Sequence, residues 1–234
     1  LIVALGLSLF LAEPRVPAPS TVALAENAEQ EASALMPIVL STEVGERSTI
    51  QLSDGSSVEL NTDTEVEVRY TDSRRNLILV RGQALFKVAK NPDRPFMVYA
   101  GGRVITALGT EFEVRMNQSD VAVTLVEGRI TVTNVNLDEA RDEPADVDSV
   151  ELVAGQVYDS ARGVLSDVSE DALERALSWR QGRLDFQNET LADVVIEINR
   201  YSRRKLVLSD PSIGELYISV AASRRARSRT SQRR

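Results

Sequence analysis

The stretch that decides the fold is STIQLSDGSSVELNTDTEVEVRY, residues 48–70. In its last six residues, valines and Tyr70 alternate with charged residues, which is the pattern of a strand with one buried face. Asp54-Gly55 interrupts the alternation with a turn signal, because glycine adopts positive φ without a steric penalty. The stretch therefore predicts short strands joined by tight turns.

The same period continues to about Tyr158. It runs through NLILV, ALFKV, FMVYA, RVITAL, EFEVRM, VAVTLV and RITVTNV, with glycines between the segments. Strands at such short and regular spacing are typical of all-β folds. The fold class predicted for residues 42–160 is mainly β, with an irregular β-solenoid, a sandwich or a barrel-like domain as open alternatives.

Residues 168–220 have a different pattern and predict a small α/β lobe. Ser169 is a suitable N-cap for a first helix and Gly182 a suitable end for it. RLDFQN predicts a strand, and Thr190 opens a second helix. KLVL and LYISV predict two further strands. The second helix has an apolar stripe of Leu191, Val194, Val195 and Ile198. Its predicted solvent face consists of Asp193, Glu197 and Arg200.

The ends of the chain differ from the middle. Residues 1–12, LIVALGLSLFLA, are apolar or small throughout and predict the remnant of a transmembrane helix, with the core of a signal peptide as the alternative. Residues 13–40 include a Pro- and Ala-rich stretch that predicts a linker. Residues 221–234 predict a disordered basic tail. Either interpretation of the apolar start places the rest of the chain across a membrane.

Composition restricts the chemistry that is available. The chain has no histidine and no cysteine, which excludes Ser-His-Asp and Cys-His catalytic relays and zinc sites built from those residues. The net charge is −8, and six of the 27 basic residues are arginines in the last eleven positions. Such an acidic body argues against a nucleic-acid-binding protein. The carboxylate-rich segment 135–151 lacks calcium-loop spacing and is interpreted as a solvated loop.

At these residues the sequence resembles a known family. The stretch around Asp54-Gly55-Ser56, with Leu60 and Asn61, resembles the opening block of the FecR family of periplasmic regulators. Later blocks of that family are matched by RGQALFKVAKNPDRPFMVYA, ALGTEFEV, VTLVEGRITV and ELVAGQ. Their motif positions are Gly82, Phe86, Pro95, Phe96, Gly109, Thr110, Phe112, Glu127 and Gly128. The C-terminal unit resembles the STN-like lobe of the same family at Trp179, Gly182, Phe186 and Leu191.

The resemblance implies a signalling role without catalysis. It implies the periplasmic part of a single-pass inner-membrane regulator of an extracytoplasmic-function sigma factor, acting as an anti-sigma factor. The expected partners are the N-terminal signalling domain of a TonB-dependent outer-membrane receptor, in iron-siderophore or similar uptake, and a sigma factor bound through a cytoplasmic segment absent from this sequence. No catalytic residue, cofactor or metal is expected, and the motif residues are expected to be structural: Asp54-Gly55 and Gly109 as turns, and the phenylalanines as core anchors.

Two other classes of function remain open alternatives. A glycan-active β-protein would use two carboxylates, for which Glu43 with Glu46, or Glu127 with a distant aspartate, are the suggestive acids. A structural assembly module of the secretin type is the other, because STN-like lobes also occur in secretin channels.

Overall fold

The structure is a computed structural model that describes residues 37–135 and 149–223. The strands of its two large sheets are, in chain order, β1 (Ile38–Ser41), β2 (Ser48–Gln51), β3 (Ser57–Leu60), β4 (Glu65–Tyr70), β5 (Arg75–Arg81), β6 (Gln83–Lys87), β7 (Phe96–Ala100), β8 (Arg103–Ala107), β9 (Glu111–Asn117), β10 (Asp120–Glu127), β11 (Arg129–Asn134), β12 (Ser149–Val153), β13 (Gln156–Asp159) and β14 (Val164–Asp167).

These strands form two seven-stranded sheets. Sheet 1 has the order β1-β4-β5-β7-β8-β11-β12, and sheet 2 has the order β14-β13-β10-β9-β6-β3-β2. Pairing is antiparallel except between β5 and β7, which run parallel. The chain moves from one sheet to the other every one or two strands, so neither sheet is continuous in sequence. Both sheets therefore have to form together.

One hydrophobic core lies between the two sheets. It draws on both, for example on Leu77 and Phe96 of sheet 1 and on Phe86 and Phe112 of sheet 2, each at most 1% exposed. The rings of Phe86 and Phe112 are stacked with centroids 5.3 Å apart, and Phe96 meets Phe86 edge-on at 6.1 Å. Aromatic pairs of this geometry stabilise a core beyond the area they bury. Phe86, Phe96 and Phe112 thus lie together in the core of the sandwich, whereas Phe186 lies outside that cluster.

The predicted fold class is confirmed. Of the three alternatives left open for the β region, the structure has two face-to-face sheets, which is the sandwich arrangement. The alternation predicted for residues 65–70 is also present, since Val66 and Val68 are buried while Glu65 and Glu67 are only partly covered.

A small C-terminal lobe follows the sandwich, from residue 170 to residue 223. Its elements are α1 (Glu170–Ala176), a 3₁₀ helix (Ser178–Gln181), β15 (Arg183–Thr190), α2 (Leu191–Arg200), a second 3₁₀ helix (Pro211–Glu215) and β16 (Tyr217–Ser223). β15 and β16 form an antiparallel two-stranded sheet. The Thr190 side chain accepts a hydrogen bond from the main-chain N–H of Asp193, and this confirms the predicted start of α2.

The observed boundaries differ from the predicted ones in three places. β1 begins at Ile38, within the predicted linker, because it pairs with β4 along its whole length. The sandwich continues past residue 160, because β14 pairs with β13. β16 continues to Ser223, beyond the predicted end of the lobe, because its last residues still pair with β15. Residues 1–36 and 224–234, with the predicted transmembrane remnant and most of the predicted tail, lie outside the described residues, as do residues 136–148 of the acidic segment.

The KLVL strand prediction is wrong. Residues 205–208 form no strand, because their backbone finds a side-chain partner instead of a neighbouring strand. The Asn199 side chain accepts a hydrogen bond from the N–H of Leu206 at 2.7 Å and donates one to its carbonyl oxygen at 2.9 Å. Leu206 and Val207 are 52% and 83% exposed, so most of the apolar run that suggested a strand is on the surface.

Candidate functional site

The candidate site is the C-terminal lobe and the surface of sheet 2 on which it lies. Side chains alternate along β9, so Phe112 and Val114 point into the core and Glu113 points outwards. Glu113 is nevertheless only 4% exposed, because the lobe covers it. The first helix stops being α-helical at Ala176 and continues as the 3₁₀ helix, whose Trp179 is 3% exposed.

Trp179 and Glu113 form the most buried contact between the lobe and the sandwich. The indole Nε1 of Trp179 donates a hydrogen bond of 2.6 Å to Glu113 Oε2. Burial raises the pKa of Glu113, although hydrogen bonds from Trp179 and Gln83 oppose the shift. A carboxyl group in this position is expensive to bury unless donors satisfy it, and here two donors do so.

Helix α2 makes a second set of polar contacts with sheet 2. Arg115 Nη2 on β9 donates to Glu197 Oε2 at 2.6 Å. Arg200 Nη1 donates to Gln83 Oε1 at 2.9 Å and to Glu197 Oε1 at 2.8 Å. Glu197 and Arg200 were predicted to face solvent, and that prediction is wrong for both. The helix turns its charged stripe towards the sheet because the sheet offers charged and amide partners there.

Two further contacts involve Asn61 and Arg180. Asn61 Nδ2 donates to the hydroxyl of Tyr201 at 2.7 Å, and Asn61 Oδ1 accepts from the N–H of Thr62 at 2.8 Å. Burial of the Tyr201 hydroxyl raises its pKa to about 12. Arg180 forms a bidentate pair with Glu59 of β3 at 2.6 and 3.0 Å and contacts Glu111 of β9 at 3.2 Å. Asn61 thus joins the end of its own strand to the lobe.

Arg47 contacts the lobe from the side of β2. Its Nη1 donates to the carbonyl oxygens of Trp179 and Arg180 at 2.7 and 2.6 Å. These carbonyls belong to the 3₁₀ helix that ends at Gly182, which adopts a φ of 75° as predicted for a helix end. A cation at the carbonyl end of a helix is favourable because it meets the partial negative charge there.

A groove of ≈ 520 Å³ lies between α1, β15, α2 and β9. Its charged lining consists of Arg115, Arg175, Asp185, Glu189, Asp193 and Glu197. Partial burial raises the pKa of Glu189, and the nearby charges of Asp193 and Glu197 raise it further. A second cavity of ≈ 260 Å³ is mainly apolar, with Trp179, Leu184 and Ile198 among its walls.

Strand β16 presents a free edge. Within the described residues it pairs with β15 on one side only. The strand YISVAAS contains no charged residue and no proline, and both Tyr217 and Val220 are exposed, at 67% and 44%. Edge strands normally carry charges or prolines that prevent pairing with other chains, and β16 lacks them.

The D-G-S motif is placed away from the lobe and is structural. Asp54 forms a 2.8 Å ion pair with Arg75, whose side chain is completely buried. Ser56 donates to Asp54 through its hydroxyl at 2.6 Å and through its main-chain N–H at 3.1 Å. Gly55 occupies the turn with a φ of 85°. The guanidinium of Arg75 also donates to main-chain carbonyls of the loop before β7. The motif therefore ties the β2–β3 turn to that loop.

The other motif residues also occupy structural positions in the sandwich or lobe. Gly82 and Gly128 have φ near 90° and lie against Thr64 and Thr110, where a Cβ atom would not fit. Leu60 is fully buried in the core, and Phe186 on β15 is 7% exposed. Pro95 and Leu191 are partly buried, and Gly109 lies against Lys90 between β8 and β9. Of the motif residues, only Asn61, Trp179 and Gly182 belong to the contact between lobe and sandwich.

The carboxylates proposed for a glycan-active protein do not come together. Glu43 and Glu46 lie in one exposed turn, and Glu43 pairs with Arg203 of the lobe. Glu127 is exposed at the far end of β10. The two acids with raised pKa, Glu113 and Glu189, are not a pair in one cleft, since Glu189 lines the groove and Glu113 does not. Among the residues described, no cluster of acids could hold a metal ion.

Sequence reasoning missed the residues of sheet 2 that hold the lobe. The outward positions on β6 and β9 hold Gln83, Glu113 and Arg115. Polar residues at such positions are normally expected to be exposed to solvent. The chain's single tryptophan was the one available signal, because a lone indole in a polar helix needs a partner for its N–H.

Comparison with known proteins gives a family model that part of the chain matches and solved structures with a similar fold. Residues 38–131 match the family model described as FecR protein. Two crystal structures of a candidate anti-sigma factor from Parabacteroides distasonis ATCC 8503, at 2.50 and 1.65 Å resolution, are similar to this chain. In each case the identity is 24% and the TM-score 0.64, with 80% of this chain covered and 85% or 84% of the other. No curated protein sequence matches the chain significantly.

Proposed function

Residues 38–131 are a FecR domain, and from that premise we propose that this chain is the signal-receiving part of an anti-sigma regulator. The observation that carries the proposal is a FecR sandwich followed by a lobe with an unprotected strand edge, β16. The related crystal structures support the anti-sigma role, because their protein is described in those terms and shares the fold over most of both chains.

The proposed partner on the receiving side is the N-terminal signalling domain of a TonB-dependent outer-membrane receptor. An uncharged edge strand of seven residues is suited to accept a strand from a partner, since main-chain hydrogen bonds supply affinity and neighbouring pockets supply specificity. The mainly apolar cavity of ≈ 260 Å³ has Leu184 of β15 and Ala222 of β16 in its wall, next to that edge. Iron-siderophore or similar uptake is the proposed context.

We further propose a periplasmic location with a single inner-membrane anchor, and a sigma factor bound on the cytoplasmic side. The support is the apolar stretch of residues 1–12, together with the family resemblance. In the part of the chain that the structure describes, no helix is long and apolar enough to cross a membrane. The proposed role needs no catalysis.

The experiment uses the signalling domains of TonB-dependent receptors from the same organism and measures binding to the full chain by isothermal titration calorimetry. Val220→Lys places a charge on the β16 edge and should weaken binding at least about tenfold, because a lysine on an edge opposes strand addition. The matched control is Leu165→Lys on β14, the exposed edge strand of sheet 2. That variant should bind like the wild type.

Three results would count against the proposal. Failure of every signalling domain to bind at high micromolar concentration would remove the receptor as partner. Equal weakening by Val220→Lys and Leu165→Lys would remove β16 as the docking edge. Ring-shaped oligomers in size-exclusion chromatography would favour the secretin-type assembly instead.

A further inference from the structure

The lobe and the sandwich do not share a hydrophobic core. The core cluster consists of residues of the sandwich alone, and its partly buried neighbours also come from the sandwich. The buried apolar residues of the lobe, Trp179, Phe186 and Val194, lie outside that cluster. The sandwich is therefore closed on its own, and removal of the lobe would leave its core covered.

Polar groups make most of the contacts that hold the lobe in place. The contact surface, here called the lobe interface, contains the pairs Trp179–Glu113, Glu197–Arg115, Arg200–Gln83, Tyr201–Asn61, Arg180–Glu59 and the Arg47 contacts to the 3₁₀ helix. Partly exposed ion pairs contribute about 0–1 kcal/mol each. Polar contacts between the domains of one chain normally allow relative motion unless a large apolar area supports them.

Apolar side chains are also covered at the lobe interface. They are the aromatic Trp179 of the lobe and Leu85 of β6, which lies between Glu59 and Glu113 on the outer face of sheet 2 and is 1% exposed. The indole N–H of Trp179 donates a hydrogen bond to the carboxylate of Glu113, which would be hydrated again if the lobe undocked. Undocking therefore exposes an aromatic ring at some cost, but it also relieves the cost of burying the Glu113 charge. The two effects oppose each other, so the balance between docked and undocked lobe is small compared with the stability of the sandwich.

We propose that the lobe is a releasable cover of sheet 2, and that the hydrogen bond between Trp179 and Glu113 holds it in the docked position. Undocking separates residues 170–223 from the outer face of sheet 2 while the sandwich stays folded. The newly exposed face carries Leu85 and the polar residues Glu59, Gln83, Glu111, Glu113 and Arg115. A partner that binds either the undocked lobe or the exposed face would shift the equilibrium, which gives the chain two states that a signal can select.

Intrinsic fluorescence reads this equilibrium directly, because Trp179 is the chain's single tryptophan. In a urea titration of the full chain, tryptophan emission should shift to the red at lower urea than the loss of the far-UV circular dichroism signal of the strands. The first transition should also have the smaller urea dependence, since it exposes less surface. Coincident transitions with equal urea dependence would overturn the proposal, because the lobe would then leave only when the whole chain unfolds.

Substitutions at the lobe interface test whether the contact between Trp179 and Glu113 holds the lobe in place or only contributes to the stability of the whole chain. Glu113→Ala removes the acceptor and should move the fluorescence transition to lower urea while leaving the circular dichroism transition in place. Arg180→Ala, at the exposed rim of the same contact, should act in the same direction with a smaller shift. The control is Glu127→Ala on neighbouring β10, which should change neither transition. A variant that lowers both transitions together would contradict the separate release of the lobe.

The test needs no partner and is independent of the proposed function. A failure of the fluorescence test would remove the releasable cover but leave receptor binding at β16 untouched. Conversely, two separate urea transitions would stand even if no receptor domain bound to the chain.

Discussion

Replacing Asp54 with asparagine should destabilise the sandwich, because it removes the negative charge that faces the buried guanidinium of Arg75. The side chain of Arg75 is 0% exposed and that of Asp54 is 6% exposed, so water cannot replace the lost partner. Asp54 also accepts hydrogen bonds from Ser56 and Tyr70, and asparagine can satisfy only part of this set.

The magnitude follows from the remaining partners of Arg75. Breaking a buried ion pair from one side costs about 3–5 kcal/mol. Arg75 keeps its bonds to the carbonyl oxygens of Ala89 and Arg94, so the lower end of that range applies and we expect a loss of about 3 kcal/mol. For a chain of this size, that corresponds to a fall in melting temperature of about 6–12 °C.

Urea unfolding followed by circular dichroism measures the effect, with Glu65→Gln as the matched control. Glu65 also pairs with an arginine, but Arg81 is 47% exposed, so the control should cost at most about 1 kcal/mol. Equal losses for the two variants would refute the reasoning that burial decides the strength of these pairs.

The pH dependence of Asp54→Asn gives an independent signature. Desolvation opposes ionisation of Asp54, but hydrogen bonds from Ser56 and Arg75 outweigh it and hold the pKa below its ordinary value. The stabilising contribution is therefore present above the unfolded-state pKa and is lost as the pH falls through the folded-state pKa. The difference in stability between the wild type and the variant should shrink in that acidic range.

Two further predictions concern backbone geometry and the lobe. Gly82→Ala should lower the free energy of unfolding by about 3 kcal/mol or more, because the residue has a φ of 90° and its Cβ would lie 2.6 Å from the Cα of Thr64. Gly163→Ala is the control, because Gly163 has a positive φ but open space around it, and it should lower the free energy of unfolding by about 1 kcal/mol. Thermal melts of the two variants measure both losses. Because burial raises the pKa of Glu113, the docked lobe binds the proton more tightly than the undocked one, so docking should strengthen on acidification and weaken as the pH rises through the docked-state pKa. Acrylamide quenching of Trp179 across that range measures this, and Glu113→Gln should abolish the dependence.

The sandwich was predictable because its signals are local. Alternation places Val66 and Val68 in the core, and the turn at Gly55 follows from the conformational freedom of glycine. The caps Ser169 and Thr190 were found for the same reason, since each acts on a main-chain N–H three residues away. Such features depend on neighbours in sequence and need no knowledge of the fold.

The contacts of the lobe were not predictable, because they join residues far apart in sequence. Glu113 and Trp179 are separated by 66 positions, and nothing near Glu113 marks it as covered. Glu197 and Arg200 were predicted to face solvent because charged residues usually do, whereas here sheet 2 supplies partners for them. The strand prediction for KLVL was wrong for the opposite reason. Its apolar residues Leu206 and Val207 suggested a strand, but they are exposed and belong to no strand.

The most direct test of the proposed function is amide hydrogen exchange of the full chain, with and without the signalling domain of a TonB-dependent receptor from the same organism. The receptor domain should slow exchange in β16, Tyr217–Ser223, because the free main-chain groups of this strand become hydrogen-bonded to an added strand. Exchange in β14, the matched edge of sheet 2, should not change. Binding that leaves β16 unprotected, or no binding at all, would contradict the account.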